Sequence, residues 1–228
     1  MNRPESTRLS DLGDTTLQRS NLKDLAVQKL RAHVISGTIP PGTALVERDV
    51  AELLGISRGP VREALLEMEI QGLVENVRGR RKVIQPSSMD IVAMLEVRAP
   101  LEVHAATRAA CNGDAAHDAA ISRHLEAMHV AIRERDRGAF VLADLALHES
   151  IWNLSSNPYL VKTLHNLSGP IFLAIVNGSF DAFDWEETYE LHRGLVERIQ
   201  AGDATSAAAM AQQNMSDSIH RNELRLLE

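Results

Sequence analysis

From Met89 to Leu227 the apolar residues recur at helical spacing, without strand-like alternation. The pattern is broken at five places: Asn112-Gly113, Asp136 to Gly138, Ser155 to Pro158, Asn177 to Asp184 and Gly202-Asp203. This stretch is therefore predicted to form six helices. Each helix hides only one stripe of its surface, so six of them joined by short turns must bury those stripes against one another. No fixed-period repeat is present, which excludes a solenoid and leaves an antiparallel six-helix bundle. Pro100 and Pro170 fall inside two of these helices and are expected to kink them.

The preceding residues are organised differently. Residues 1–20 are polar and short of bulky apolar groups, so a flexible arm is expected. Leu22, Leu25, Ala26, Leu30 and Val34 then mark a helix that stops at Ser36-Gly37, and Pro40-Pro41-Gly42 demands a turn. A short helix is predicted from Glu47 to Leu54, closed by Gly55. A third follows to about Gln71, with Ser57 as its N-cap, Pro60 in its first turn and Gly72 at its end. Leu73–Val77 and Lys82–Ile84 read as two short strands about a basic turn, Arg78-Gly79-Arg80-Arg81. Helix, helix, turn, helix and basic hairpin is the order of a winged helix-turn-helix. The fold class is thus mainly α: a winged helix-turn-helix over residues 21–86, a linker at Pro86-Ser87-Ser88, and a helical bundle over residues 87–228.

The formal net charge of −7 argues against nucleic acid until it is divided. Residues 1–86 hold 13 Lys/Arg against 11 Asp/Glu, and residues 87–228 hold 11 against 20. Only the first part suits a phosphate surface, because duplex affinity comes largely from neutralised phosphates. The opening MNRPESTRLSDLGD has no apolar targeting core, and the longest apolar run is Ile171 to Val176, too short for a bilayer. A cytoplasmic protein without a membrane partner is expected. The single cysteine, Cys111, reads as a buried or half-buried small hydrophobe.

In the third helix Arg58 and Arg62 are four residues apart and share a face near its start. The leading residues of a recognition helix meet base edges, and a planar guanidinium can bridge guanine O6 and N7. Arg48 on the preceding helix, with Gly79, Arg80, Arg81 and Lys82 on the wing, is placed to touch phosphate. The competing reading is an arginine pair that only solvates a surface helix.

These residues resemble a known family. Ser36-Gly37-Thr38-Ile39-Pro40-Pro41-Gly42, Leu53-Leu54-Gly55-Ile56-Ser57-Arg58-Gly59-Pro60-Val61-Arg62-Glu63-Ala64-Leu65 and Gln71-Gly72-Leu73-Val74 look like the GntR family of bacterial regulators. The resemblance implies a homodimer on palindromic double-stranded operator DNA, contacted by Arg48, Ser57, Arg58, Gly59, Arg62 and Gly79. Gly59 departs from the threonine of many relatives and loses a side-chain phosphate contact. Arg80-Arg81-Lys82 stands where relatives often carry another glycine, which makes the wing tip stiffer and more basic.

In the helical half, Asp144 and His148 leave one helix face four residues apart, and His192 lies on a later helix. A carboxylate and imidazoles can share a metal, although each also has an ordinary explanation as a core or surface residue. This half resembles the FadR-type helical ligand domain (FCD), in its VanR-like six-helix form. There an Asp-x3-His helix and two later histidines hold a divalent metal beneath a carboxylate effector. The resemblance implies Asp144, His148 and His192 as ligands of Zn, Ni or Mn, with Asn214 in place of the fourth; His220, six residues further on, is turned away from that face by helical rotation. Either a three-ligand metal is completed by Asn214, water or the effector, or Asn214 hydrogen-bonds the effector in a metal-free pocket. Arg98 matches the position that pairs the effector's carboxylate; its alternative is a surface salt bridge to Glu102. Trp152 and Asn157 are weaker pocket candidates, read respectively as core and as a helix cap.

The function expected is a ligand-responsive transcription regulator, a repressor by the commoner outcome in that family. Two rivals stand beside it: a metal-dependent enzyme using the Asp/His/His site, and a constitutive architectural DNA-binding protein.

Overall fold

The computed structural model describes residues 13–177 and 184–224. Among the described residues, helices α1 (Gly13–Ile35), α2 (Glu47–Leu54) and α3 (Arg58–Ile70) precede a hairpin of β1 (Val74–Val77) and β2 (Arg80–Val83). Six helices follow: α4 (Ser88–Asn112), α5 (Ala115–Glu134), α6 (Arg137–Leu154), α7 (Pro158–Val176), α8 (Trp185–Gln200) and α9 (Ala204–Leu224). Each boundary among the six falls at a break expected from the sequence. Pro100 and Pro170 sit inside α4 and α7.

Two expectations change in the first part. Helix α1 begins at Gly13, inside the stretch read as a flexible arm, while residues 1–12 lie outside the described residues. No proline lies between Gly13 and Leu22, so the backbone ladder of α1 can propagate upstream of Leu22. The wing turn is also tighter than four residues. Arg78 and Gly79 alone connect the strands, both with positive φ (53° and 80°), as a two-residue turn of the primed type demands. Arg80 and Arg81 are therefore strand residues on opposite faces. Val77 pairs with Arg80, and Lys82 bonds its cross-strand partner Glu75 at 3.0 Å.

Helix ends follow local chemistry. Gly55, left-handed at φ 66°, returns its N–H to Ala51 and Glu52 carbonyls and stops α2. Ser57 takes the extended N-cap conformation before α3 without a side-chain cap bond. Ser87 forms a full capping box with Asp90 at the start of α4, and the Asp136, Asn157 and Asp184 side chains cap α6, α7 and α8.

Helix α4 is the axis of the second half, packed against α6, α7, α8 and α9. Its buried Ala99, Ala105, Ala106, Ala109 and Ala110 present little side chain, which lets neighbouring helices approach closely. Cys111, next on the helix, is exposed rather than buried, because 100° of helical rotation carries it off that alanine face. Helix α7 reaches the length and mean hydropathy (19 residues, 1.2) at which a helix can cross a membrane, although its longest apolar run is short. Half of that window is buried, against α1, α4 and α6 among others, as in a core helix.

The two halves share one continuous core. Leu30, Val34, Val61, Leu65 and Met68 of the first belong to the same cluster as Phe140, Leu147, Trp152 and Phe172 of the second. At the seam, a Cβ added to Gly169 of α7 would lie 3.0 Å from Leu73, so only glycine seats this fully buried leucine without displacement. Beside it, Arg31 of α1 meets Glu149 Oε1 of α6 at 2.7 Å, and His165 Nδ1 of α7 stands 3.2 Å from both Arg31 Nη2 and that oxygen.

Candidate functional site

The first candidate surface is built around Glu47 at the start of α2. Arg62 of α3 grips it with two nitrogens, Nε to Oε1 at 3.0 Å and Nη2 to Oε2 at 3.0 Å. Arg58 Nη2 lies 3.9 Å away and Arg81 Nη1 3.3 Å away. The hydrogen bond from Arg62 is the main influence holding the Glu47 carboxyl below its ordinary value. Arg58 and Arg62 remain mostly exposed, as does Arg48, which pairs with neighbouring Asp49. Arg48, Arg58, Gly79 and Arg80 line one concave face with Glu47, while Gly59 is open, with nothing near its would-be Cβ.

Arg81 departs from its expected place at a phosphate. It points inward and is clamped between Glu47 and Glu69 at 3.3 and 3.2 Å. The register explains this, since the two-residue turn puts Arg80 outward and Arg81 on the inner face. Arg81 thus ties the wing to α2 and α3. Glu47, which organises all three arginines, was missed in the sequence because an acid at a helix start has the ordinary explanation of complementing the dipole.

The second candidate site lies in the bundle interior. Asp144 and His192 are buried and His148 nearly so, and one ligand atom from each lies within 4.8 Å of the others. His192 Nε2 stands 3.1 Å from both Asp144 Oδ1 and His148 Nε2. The opposite ring nitrogens are turned outward from this point. His192 Nδ1–H donates to the Thr188 carbonyl at 2.7 Å, and His148 Nδ1 lies 3.3 Å from Glu102 Oε1. Burial disfavours the His192 imidazolium, yet the Asp144 carboxylate more than offsets this, so its pKa is raised while that of Asp144 is lowered.

With Nδ1–H of His192 donated to a carbonyl, the neutral ring offers its Nε2 lone pair at the same point as His148 Nε2 and Asp144 Oδ1, so a divalent cation could take the place of the Nε2 proton there. Anchoring of a distal nitrogen, as the Thr188 carbonyl does for His192, is the usual support of metal-binding histidines. The donor set therefore fits a divalent metal. Asn214 lines the same cavity, and its buried Oδ1 has no hydrogen-bond partner among the described residues. His220 is exposed and faces Glu223.

Glu102 is the hub the sequence reading overlooked. Its Oε1 accepts from Arg98 Nε at 2.7 Å and its Oε2 from Trp152 Nε1 at 2.9 Å. Burial pushes the Glu102 carboxyl up, but His148, Arg98 and the bond from Trp152 together hold it well below the usual carboxylate range. The Arg98–Glu102 pair envisaged at the surface is thus present but buried, with the guanidinium also over Phe172 and Trp152. Trp152 is fully buried core, and Asn157 is a cap. The cavity holds about 80 Å³ and also exposes Ser218 and Arg221 of α9, both missed earlier; their spacing of four and seven residues from Asn214 was the available signal.

A winged helix-turn-helix with exposed arginines on its third helix, packed onto a helical bundle with an interior polar cavity, defines a DNA-binding transcription regulator with an effector domain. Two family profiles match accordingly: the gntR family of bacterial regulatory proteins over residues 22–84 and the FCD domain over residues 93–217. The chain belongs to the GntR family, in its FCD-domain branch. It is 29% identical over 189 residues to a probable D-xylose utilization operon transcriptional repressor of Paenarthrobacter nicotinovorans, covering 82% of this chain and 81% of that one. It is 28% identical over 198 residues to the gluconate operon transcriptional repressor of Bacillus licheniformis, covering 83% and 80%. Among solved structures, E. coli McbR/YncC shares the fold with a TM-score of 0.78 at 20% identity, over 90% of this chain and 98% of that one.

Proposed function

We propose that this regulator is a cytoplasmic homodimeric repressor that grips a short palindromic operator through Arg58 and Arg62 of each α3, with Arg48, Ser57, Gly59, Gly79 and Arg80 against the backbone. A small carboxylate effector, bound at a divalent metal on Asp144, His148 and His192, changes that grip. The relatives named for repression of D-xylose and gluconate operons support repression. The same family membership favours regulation over the enzyme reading of these residues.

The observation that carries the metal is the convergence of His148 Nε2 and Asp144 Oδ1 at 3.1 Å from His192 Nε2, with His192 Nδ1 hydrogen-bonded to the Thr188 carbonyl and His148 Nδ1 3.3 Å from Glu102 Oε1. When bound, the cation would supply a positive anchor for a carboxylate oxygen. Asn214 contributes an amide oxygen, which suits manganese better than zinc or nickel.

The route to the DNA runs along α6 and α7. Helix α6 carries Asp144 and His148 and, one residue on, Glu149, which holds Arg31 of α1. Helix α7 carries Phe172 against Arg98 and His148 and, one turn earlier, Gly169 against Leu73. A ligand that favours one arrangement of these helices therefore favours one placement of the winged domain, and with it one separation of the two recognition helices in the dimer.

Metal analysis of the purified protein beside His148→Ala and Asn214→His tests the site. Near-stoichiometric metal, lost on His148→Ala, is expected. Metal absent from the native chain and gained on Asn214→His would instead make the pocket a hydrogen-bonding one. Operator affinity, measured on a duplex selected from random sequence before and after metal removal, tests the coupling; equal affinity would sink it.

A further inference from the structure

Three side chains of α9, Asn214, Ser218 and Arg221, line the same cavity as Asp144, His148 and His192. Helical spacing of four and seven residues places them in one row, and helical side chains lean toward the N-terminus, which brings the Arg221 guanidinium back along that row. The cavity has two arginines in different states. Arg98 is neutralised in contact by Glu102 at 2.7 Å. Arg221, half-buried, has no hydrogen bond or carboxylate partner among the described residues, and the nearby Glu223 pairs with His220 instead.

Charge then constrains the ligand. Arg98 and Glu102 cancel, and a divalent ion on Asp144 leaves one positive charge at that end of the cavity. Arg221, two helical turns along α9 from Asn214, adds a second positive charge to the lining. A half-buried cation without a partner is unfavourable, and an anionic group of the ligand removes that cost.

Resting on the metal reading for one end only, we propose that Arg221, with Ser218 beside it, is the second anion subsite of the cavity, and that the effector is a compact diacid. One carboxylate sits at the Asp144, His148, His192 end. A second acidic group, carboxylate or phosphate, is held by Arg221. Arg221 is thus the residue that separates diacids from monoacids.

The test is calorimetric titration of the full-length protein, metal-loaded and metal-stripped, with malonate, succinate and phosphoglycolate against acetate, butyrate and glycolate. In the loaded protein at least one diacid is expected to bind tenfold or more tightly than its monoacid counterpart. Arg221→Gln should remove that difference by weakening the diacid alone, and Arg221→Lys should retain part of it. The malonate and phosphoglycolate arms distinguish a second carboxylate from a phosphate. A diacid preference that persists in the stripped protein and still vanishes in Arg221→Gln would uphold the subsite while overturning the metal. No preference for any diacid in the native protein, or one that survives Arg221→Gln, overturns the proposal.

Discussion

Two carboxylates, Glu47 and Glu102, each gather arginine, and they do so in opposite surroundings. Glu47 holds Arg58 and Arg62 where these side chains are 65% and 63% exposed, whereas Glu102 and Arg98 are 6% and 4% exposed. Exposed pairs contribute little because water screens them and competes for both partners. The Glu47 cluster is therefore exchangeable: it positions Arg58 and Arg62 in the free protein and can yield them to DNA. A buried pair cannot be opened without stranding a charge in the interior. Glu102 is accordingly scaffolding, fixing Arg98, Trp152 and His148 around the effector cavity.

The largest effect expected from this contrast is on stability. Glu102→Ala leaves Arg98 buried without its partner and should lower the unfolding free energy by about 3–5 kcal/mol, whereas Glu47→Ala should cost less than about 1 kcal/mol. Urea denaturation of both variants checks this, and similar losses would break the comparison.

Operator binding should show the reverse order. Arg62→Ala is expected to weaken operator affinity roughly ten- to a hundredfold at fixed salt, with an unchanged unfolding midpoint. Titration of labelled operator duplex measures it, and a neutral result would shift the reading role to Arg58.

A smaller change separates positioning from charge on the same surface. Glu47→Gln removes a negative charge facing the DNA while releasing Arg62, so binding to unrelated duplex should tighten severalfold and the ratio of operator to non-operator affinity should fall. A ratio that holds would mean Glu47 does not orient the arginines.

The smallest effect sharpens the seam between the two regions. Burial raises the Glu149 carboxyl, but the bond to His165 and the charge of Arg31 outweigh it and leave it lowered from 4.5. A lowered carboxyl adds stability above its unfolded value and loses it as pH falls through the folded one. Acidification from about pH 5 to about pH 3 should therefore weaken the α1–α6 contact, and Glu149→Gln should flatten that limb of a pH-dependent thermal melt.

Much of this molecule was legible in the residue order, because helices, caps and breaks are decided within a few positions. Five interruptions after Met89 divided the bundle correctly, and the Ser57 to Leu66 stretch put Arg58 and Arg62 on one exposed face. Asp144 and His148 were readable from i, i+4 spacing with His192 on a later helix, and the family resemblance joined the three into one site and added Asn214. What the order of residues left open was every contact that crosses from one element to another. That Arg81 turns inward to Glu47 and Glu69 depended on a two-residue turn setting the strand register. That Arg98 is committed to Glu102, while Arg221 has no carboxylate partner among the described residues, depended on burial and on which carboxylates tertiary packing brings near. Local backbone preference acts over a turn of helix, whereas desolvation and ion pairing act over ångströms of space between residues distant in sequence, and only the folded chain brings those residues together.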